Sequence, residues 1–161
     1  MVTIYNQAIR SGLATGHTNE FEPAARLNWF KRHDKNTYPL YAMELNRKII
    51  GYGSLSSYRE GRQAMRNIAE VSFFLDEAHQ GKGYGIALLN TLINDCHRVH
   101  INTLIAIVLD INKKSVGMLK KFGFQKWGHL KDIIQFEDKT CGHLIYGLRI
   151  NQIETPLDNQ N

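Results

Sequence analysis

Three glycines alternate with other residues in the stretch QGKGYG, which runs from Gln80 to Gly85. The stretch follows an apolar run typical of a strand and precedes a pattern typical of a helix. The first turn of a helix leaves backbone N–H groups unpaired, and the helix dipole adds partial positive charge there. Glycine lets these N–H groups approach a phosphate closely because it has no Cβ. The spacing therefore predicts an anion site at residues 80–85.

The same spacing argues against two common nucleotide sites. It lacks the G-x-x-x-x-G-K-[ST] pattern of a P-loop, and it is not G-x-G-x-x-G with an acidic residue about 20 positions later. Nucleoside triphosphates and NAD are therefore poorly supported. We also expect no metal, because the seven histidines contain no H-E-x-x-H and the two cysteines form no C-x-x-C.

The glycines lie at a junction in a chain that alternates strands and helices. Runs at 39–45 and 48–57, joined by a short turn, predict a hairpin. Alternation over 67–77 predicts a strand with Glu70 and Ser72 on one face and Ala69 and Val71 on the other. We predict helices at about 22–33, 85–99 and 112–122 and further strands at 102–110, 123–130 and 141–150. This order favours an α/β sandwich built on one mixed sheet.

The helix predicted at 22–33 begins near a proline, Pro23. Its apolar residues at helical spacing are Ala24, Leu27 and Phe30, and we expect these to face the core. We expect one domain at residues 1–150, followed by a polar tail at 151–161.

Composition narrows the partners. The net charge of +5 would tolerate an anionic partner, but the basic residues are scattered, so nucleic-acid binding rests on charge alone. No stretch is long and apolar enough to cross a bilayer, and the amino terminus has no export signal. Cys96 and Cys141 cannot form a disulfide framework and fit a reducing compartment. We therefore expect a cytoplasmic protein without a nucleic-acid or membrane partner.

The glycine loop resembles the pyrophosphate loop of the GNAT superfamily of N-acetyltransferases, Q/R-x-x-G-x-G/A. The segment VLDINKKSVGMLKKFGF is similar to the family's second CoA segment, with Asn112 and Ser115 before a short helix that ends at Gly123 and Phe124. Within the superfamily, IYNQAI, GYGSL, Glu70-x-Ser72 and KKFGFQKWGHL resemble the phosphinothricin and methionine sulfoximine acetyltransferase group. The likeness covers residues 4 to about 150.

The resemblance implies a fold and a co-substrate. The fold is a mixed, mostly antiparallel twisted sheet flanked by helices, here without the family's first strand because the chain begins inside the first helix. The co-substrate is acetyl-CoA, the acceptor is the primary amine of a small molecule, and a homodimer is a further expectation. The residues implied in CoA binding are Phe73, Phe74, Leu75, Gln80, Gly81, Lys82, Gly83, Tyr84, Gly85, Asn112 and Ser115.

The resemblance also implies catalytic roles. Glu70 would take the proton of the amine, often through a water that Ser72 could position. A backbone N–H near Phe73 or Phe74, freed by a bulge, would stabilise the carbonyl oxygen as it gains charge. The alternative for Glu70 is an ordinary ion pair with Arg66, and the alternative for Ser72 is a plain strand serine.

Several positions bear on the acceptor and on the acid. Tyr58 and Arg59 match an aromatic–arginine pair that faces the acceptor in the similar group, and an arginine there could bind an α-carboxylate in a bidentate manner. Leu119 stands where that group often has histidine or tyrosine, so the usual acid for the departing thiolate is missing. Gly16 and His17 replace an aromatic residue and an acid of the herbicide-acetylating enzymes. A non-catalytic CoA-binding module and a protein N-acetyltransferase are the alternative functions.

Overall fold

The structure, a computed structural model, describes residues 1–150, so the tail predicted at 151–161 lies outside the described residues. The helices are α1 (Val2–Ser11), α2 (Leu27–Lys31), α3 (Tyr84–Asp95) and α4 (Lys113–Lys121). The strands are β1 (Leu40–Leu45), β2 (Lys48–Ser57), β3 (Ile68–Leu75), β4 (Thr103–Leu109), β5 (Gln125–Gln135) and β6 (Thr140–Arg149). Among these residues, we find no helix long and apolar enough to span a bilayer.

The six strands form one sheet in the order β1-β2-β3-β4-β6-β5. Strands β3 and β4 are parallel and the other neighbours are antiparallel, which confirms the predicted mixed, mostly antiparallel sheet. The predicted hairpin of β1 and β2 is also confirmed. Its turn residues, Asn46 and Arg47, both have positive φ, of 49° and 62°, as the twist of a two-residue hairpin turn requires.

Helices cover both faces of the sheet. The buried leucines of α3, Leu88, Leu89 and Leu92, pack on one face, where Ala69 and Val71 lie as the alternation predicts. Gly53 of β2 permits this packing, because a Cβ there would lie 2.7 Å from Leu92 Cδ1. On the opposite face α1 buries Ile4, Tyr5 and Ile9 against Tyr52 of β2.

The segment predicted as one helix over 22–33 is divided. A 3₁₀ turn at Pro23–Arg26 precedes the five-residue helix α2. The predicted apolar face is wrong, because Leu27 and Phe30 are 52% and 50% exposed. The partly buried residues are instead Arg26, Trp29 and His33. The contact of Trp29 with Tyr52 of the sheet decides which face of this segment is buried. The spacing of apolar residues along the segment does not indicate such a contact.

Strands β3 and β4 pair over only three residues. Ile68, Ala69 and Glu70 lie opposite Thr103, Leu104 and Ile105, and no pair follows. Strand β3 nevertheless stays paired with β2 as far as Leu75, in an unbroken register. The bulge predicted near Phe73 or Phe74 is therefore wrong. The backbone groups of β3 are freed because β4 turns away, which opens a gap in the middle of the sheet.

Candidate active site

A cavity of about 880 Å³ lies beside the end of β3. It is lined by the last turn of α1 and the residues after it, by the glycine loop and by the start of α4. Nine of the residues predicted to bind CoA line it, namely Phe73, Phe74, Leu75, Gln80, Gly81, Gly83, Gly85, Asn112 and Ser115. The structure thus brings together two segments that are about thirty residues apart in the sequence.

Two predicted residues do not line this cavity. Lys82 turns back and donates from Nζ to the carbonyl oxygen of Ala78 at 2.9 Å. Tyr84 is the first residue of α3, and its ring centre lies 6.2 Å from that of His79. Their side chains thus lie against Ala78 and His79, which precede the loop.

The three positions of the loop require glycine for different physical reasons. Gly81 and Gly83 have φ of 74° and 86°, a region that strains other residues, and a Cβ at either would meet no atom within 4 Å. The space in front of both is therefore open to a ligand. Gly85 is a packing glycine, because a Cβ there would lie 3.2 Å from Leu75 Cδ1. Gly83 is also the N-cap of α3, so the free N–H groups of that helix begin at the cavity.

A network of side chains fixes the start of the loop. The Asp76 carboxylate lies 2.9 Å from His79 Nδ1 and accepts from Gln7 Nε2 at 3.1 Å. Gln7 Oε1 in turn accepts from the Glu77 N–H at 3.0 Å. The bond to His79, followed by that to Gln7, lowers the pKa of Asp76. Helix α1 is thereby joined to the residues that precede the glycine loop.

The second segment contributes a helix start and basic side chains. Asn112 Oδ1 accepts from the Ser115 N–H at 3.1 Å and so caps α4. Sequence reasoning missed Lys113, Lys114 and Lys121, which line the cavity. Their spacing on one short helix was the available signal. They give the α4 side of the cavity positive charge suited to phosphates.

Glu70 lies at the last pair before β3 and β4 diverge. Burial raises the pKa of its carboxyl above the ordinary value of 4.5. No salt bridge in the described part of the chain includes Glu70, so the alternative of an ion pair with Arg66 has no support there. Ser72 lies two residues along on the same face, opposite Ser54 of β2. An unpaired carboxylate with a raised pKa is a stronger base than an ordinary carboxylate, so it is suited to accept a proton.

The N–H groups that face the gap follow from strand alternation. The Asp76 N–H points toward β2, since it donates to the carbonyl oxygen of Ile50. The carbonyl of Asn67 points toward the β4 side, since it accepts from the N–H of Asn102, which lies just before β4. Backbone groups of successive strand residues point to opposite edges. The N–H groups of Phe73 and Leu75 therefore face the gap, and that of Phe74 faces β2. This corrects Phe74 as a source of the oxyanion donor and retains Phe73.

An aromatic cluster covers the sheet face that carries Glu70. The guanidinium carbon of Arg26 lies 4.6 Å from the ring centre of Tyr5, 5.3 Å from that of Phe21 and 4.4 Å from that of Trp29. None of the salt bridges among residues 1–150 includes Arg26. His17 joins the cluster through a 2.6 Å hydrogen bond between Nδ1 and the Tyr5 hydroxyl. No sequence motif indicates that Arg26 belongs to this cluster, and only its contacts with the aromatic rings in the folded chain show it.

The remaining predicted positions lie away from the cavity. Tyr58 is partly buried and Arg59 is exposed, both just after β2. Leu119 is 1% exposed within the core, and its side chain has no titratable group. On β6, His143 is partly buried and Tyr146 is buried.

The chain is similar to known proteins. The family described as "Acetyltransferase (GNAT) family" matches residues 4–124. The chain is 33% identical over 152 residues to YwnH of Bacillus subtilis (strain 168), provisionally named a phosphinothricin acetyltransferase, with 94% of this chain and 92% of the relative covered. It is 30% identical over 121 residues to an L-methionine sulfoximine/L-methionine sulfone acetyltransferase of Salmonella typhimurium (strain LT2), with 75% and 70% covered.

A solved structure adds to this likeness. The structure of yncA from Salmonella typhimurium, provisionally named an acetyltransferase and solved with its cofactor acetyl-CoA, superposes with a TM-score of 0.87 at 24% identity and shows the same fold. The alignment covers 96% of this chain and 89% of that one. From the family match and the relatives we conclude that the chain belongs to the GNAT family and is an acetyl-CoA-dependent N-acetyltransferase.

Proposed function

We propose that this protein acetylates the primary amine of a free amino acid or an amino-acid analogue. The observation that carries the proposal is the position of Glu70, an unpaired and partly buried carboxylate at the point where β3 and β4 separate. The relatives support the acceptor class, since they are named for phosphinothricin and for methionine sulfoximine.

The phosphates of acetyl-CoA bind at the glycine loop. The N–H groups of residues 81–85 and the start of α3 face them, and Gln80 lies at the rim of the same cavity. Lys82 and Tyr84 hold the loop from behind. Asn112 and Ser115 set the start of α4, whose lysines add positive charge on the other side.

The reaction takes place on the face that carries Glu70. Glu70 accepts the ammonium proton through a water that Ser72 holds, which leaves the amine free to attack the thioester carbonyl. The Phe73 N–H donates to the carbonyl oxygen as it gains negative charge. Because Leu119 cannot donate, the second proton of the amine reaches the departing CoA thiolate through water.

Arg59 and Tyr58 remain the proposed contacts of the acceptor. Arg59 is exposed and no salt bridge in the described chain includes it, so its guanidinium is free to bind a carboxylate. Arg26 is the alternative residue that could bind the carboxylate of the acceptor, because it lies on the sheet face that carries Glu70. Its positive charge acts on that face, since, beside the larger effect of burial, it lowers the pKa values of Tyr52 and His33 there.

The test is CoA release across a panel of amines, followed with a thiol reagent. Background from the protein is low, because Cys96 and Cys141 are both buried and burial raises the pKa of Cys96 to about 12. Free amino acids and their analogues should be the best acceptors. Preference for a polyamine or a peptide amino terminus would contradict the acceptor class, and no release with any amine would contradict the activity.

The setting of the enzyme is also part of the proposal. We expect it to act in the cytoplasm, without a metal and without a nucleic-acid or membrane partner, as a homodimer. Exposed Trp127, Leu130 and Ile133 on β5 support self-association. Light scattering of the purified protein would show a mass of one chain if the dimer is wrong.

A further inference from the structure

His33 is a partly buried histidine just after α2 that no step above uses. Its Nδ1 lies 3.0 Å from the carbonyl oxygen of Trp29. A carbonyl can only accept, so Nδ1 carries the proton and Nε2 carries the lone pair. Nε2 lies 3.4 Å from the hydroxyl oxygen of Ser56 on β2. The backbone thus selects one tautomer of His33 and aims its basic nitrogen at Ser56.

Ser56, which His33 contacts, lies across the ladder from Glu70. In the antiparallel ladder of β2 and β3, Ser56 lies directly opposite Glu70. Directly opposed residues project from the same face, with Cβ atoms about 4.5–5.5 Å apart. Glu70, Ser56 and His33 therefore form a row that leads from the gap in the sheet toward α2.

The surroundings keep His33 neutral near pH 7. Burial, the largest effect, lowers its pKa, and the charge of Arg26 in the preceding 3₁₀ turn lowers it further. The carbonyls of Trp29 and Phe30 oppose this shift. From the sheet, Ser56 of β2 contacts it and Glu70 of β3 lies one position beyond; no carboxylate of residues 1–150 pairs with it.

We propose that Ser56 and His33 relay the proton from Glu70 to solvent in each turnover. The inference depends on the proposed role of Glu70 as the base. The ammonium of the acceptor loses one proton to Glu70 through water. Ser56 then accepts that proton on its oxygen while its own proton passes to His33 Nε2, and the imidazolium releases a proton to solvent.

The protons balance over the whole reaction. The ammonium has three protons on nitrogen and the amide product keeps one, so two leave. One goes to solvent through His33, and the other ends on the CoA thiol. His33 acts through Ser56 and touches neither substrate, so a purely structural role is the interpretation that the test must exclude.

The test is the pH dependence of kcat in His33→Gln and Ser56→Ala, at saturating acetyl-CoA and with the best amine. In wild type, log kcat should rise on the acid side with a slope of about two, since Glu70 and His33 must both lose a proton. In both variants the slope should fall to about one, and kcat near neutral pH should fall by about 5-fold or more. Imidazole in the buffer should raise kcat of the variants and leave wild type unchanged.

His97→Gln is the matched control, because His97 is exposed beyond the end of α3 and should behave as wild type. An inactive fraction that is the same at every pH does not change the slope, so circular dichroism over the same pH range restricts the comparison to conditions in which each variant is folded. Equal slopes in wild type and both variants would overturn the relay while leaving Glu70 as the base. A wild type that acetylates no amine would instead contradict the proposed function itself.

Discussion

Glu70 and Ile105 are the last pair in the parallel ladder between β3 and β4, and beyond them the two strands separate. This relationship is the reason for our proposal that the chemistry takes place there. The separation leaves the N–H groups of Phe73 and Leu75 facing an open gap, while Glu70 stays fixed by its pairing with both neighbouring strands. The proposed base, Glu70, and the proposed oxyanion donor, the Phe73 N–H, thus lie on the same strand.

The glycine loop yields the first prediction. Gly83→Ala should weaken acetyl-CoA binding by about 10-fold or more in titration calorimetry, because a Cβ enters the space in which the phosphates meet the N–H groups. Gly61→Ala is the matched control, since Gly61 also has positive φ, of 76°, and also has no atom within 4 Å of a Cβ. Both variants should lose similar stability, about 1 kcal/mol. Equal acetyl-CoA affinity in the two variants would contradict the placement of the phosphates.

The network around Asp76 yields the second prediction. Asp76→Asn should raise KM for acetyl-CoA several-fold with kcat nearly unchanged, because it loosens the loop without touching Glu70. Steady-state kinetics separates the two constants. A fall in kcat at unchanged KM would place Asp76 in the chemical step instead.

Asp76 also affects stability in a pH-dependent way. Its folded pKa lies below the ordinary value of 3.8, so its stabilising contribution is present above that value and is lost as pH falls through the folded pKa. Unfolding of wild type and Asp76→Asn by denaturant at neutral and acid pH should show a difference in free energy that shrinks toward low pH. A difference that grows on acidification would contradict the charged bonds to Asp76.

The sheet face and the glycine loop could be predicted because their signals are local. Alternation over 67–77 places Glu70 opposite in direction to Ala69, and glycine at 81 and 83 marks positive φ. The divergence of β3 from β4 has no local signal, because it depends on how two strands some thirty residues apart leave a ladder. The predicted bulge is therefore wrong, and the N–H near Phe73 is left without a strand partner because β4 diverges from β3.

The orientation of α2 shows a second limit. Leu27 and Phe30 are apolar, yet Arg26 and Trp29 face the sheet because their contacts with Tyr5 and Tyr52 form only in the folded chain. A planar guanidinium stacks on aromatic rings, so arginine fills a place that an apolar pattern assigns to leucine. The sequence pattern also gives no signal for His33, because its contact with Ser56 of β2 forms only in the folded chain.

Leu119 and Leu27 together test which apolar residues form the core. Leu119→Ala should lower the free energy of unfolding by about 2–5 kcal/mol, since Leu119 is 1% exposed. The folded molecules of this variant should keep the kcat of wild type. Leu27→Ala should change stability by less than about 0.5 kcal/mol, since Leu27 is 52% exposed. Chemical denaturation measures both. Loss of kcat in a fully folded Leu119→Ala would give this position a catalytic role.

The acceptor anchor can be tested by pairing substrates with variants. An amino acid should exceed its carboxamide by about 10–100-fold in kcat/KM in wild type, as expected for a bidentate charge-assisted contact. Arg59→Ala should abolish this discrimination, whereas Arg26→Gln should keep it. The opposite pattern would make Arg26 the anchor, and a wild type that treats both substrates alike would exclude a carboxylate contact.

The most direct measurement compares acetyl transfer by wild type and Glu70→Gln on the best amine, with acetyl-CoA affinity determined on the same samples. The amide keeps the shape of the side chain but cannot take a proton. Turnover should fall by about 10²–10⁴-fold while the affinity for acetyl-CoA stays within about twofold. Full turnover by Glu70→Gln at neutral pH would show that Glu70 is not the base and would contradict the proposed mechanism.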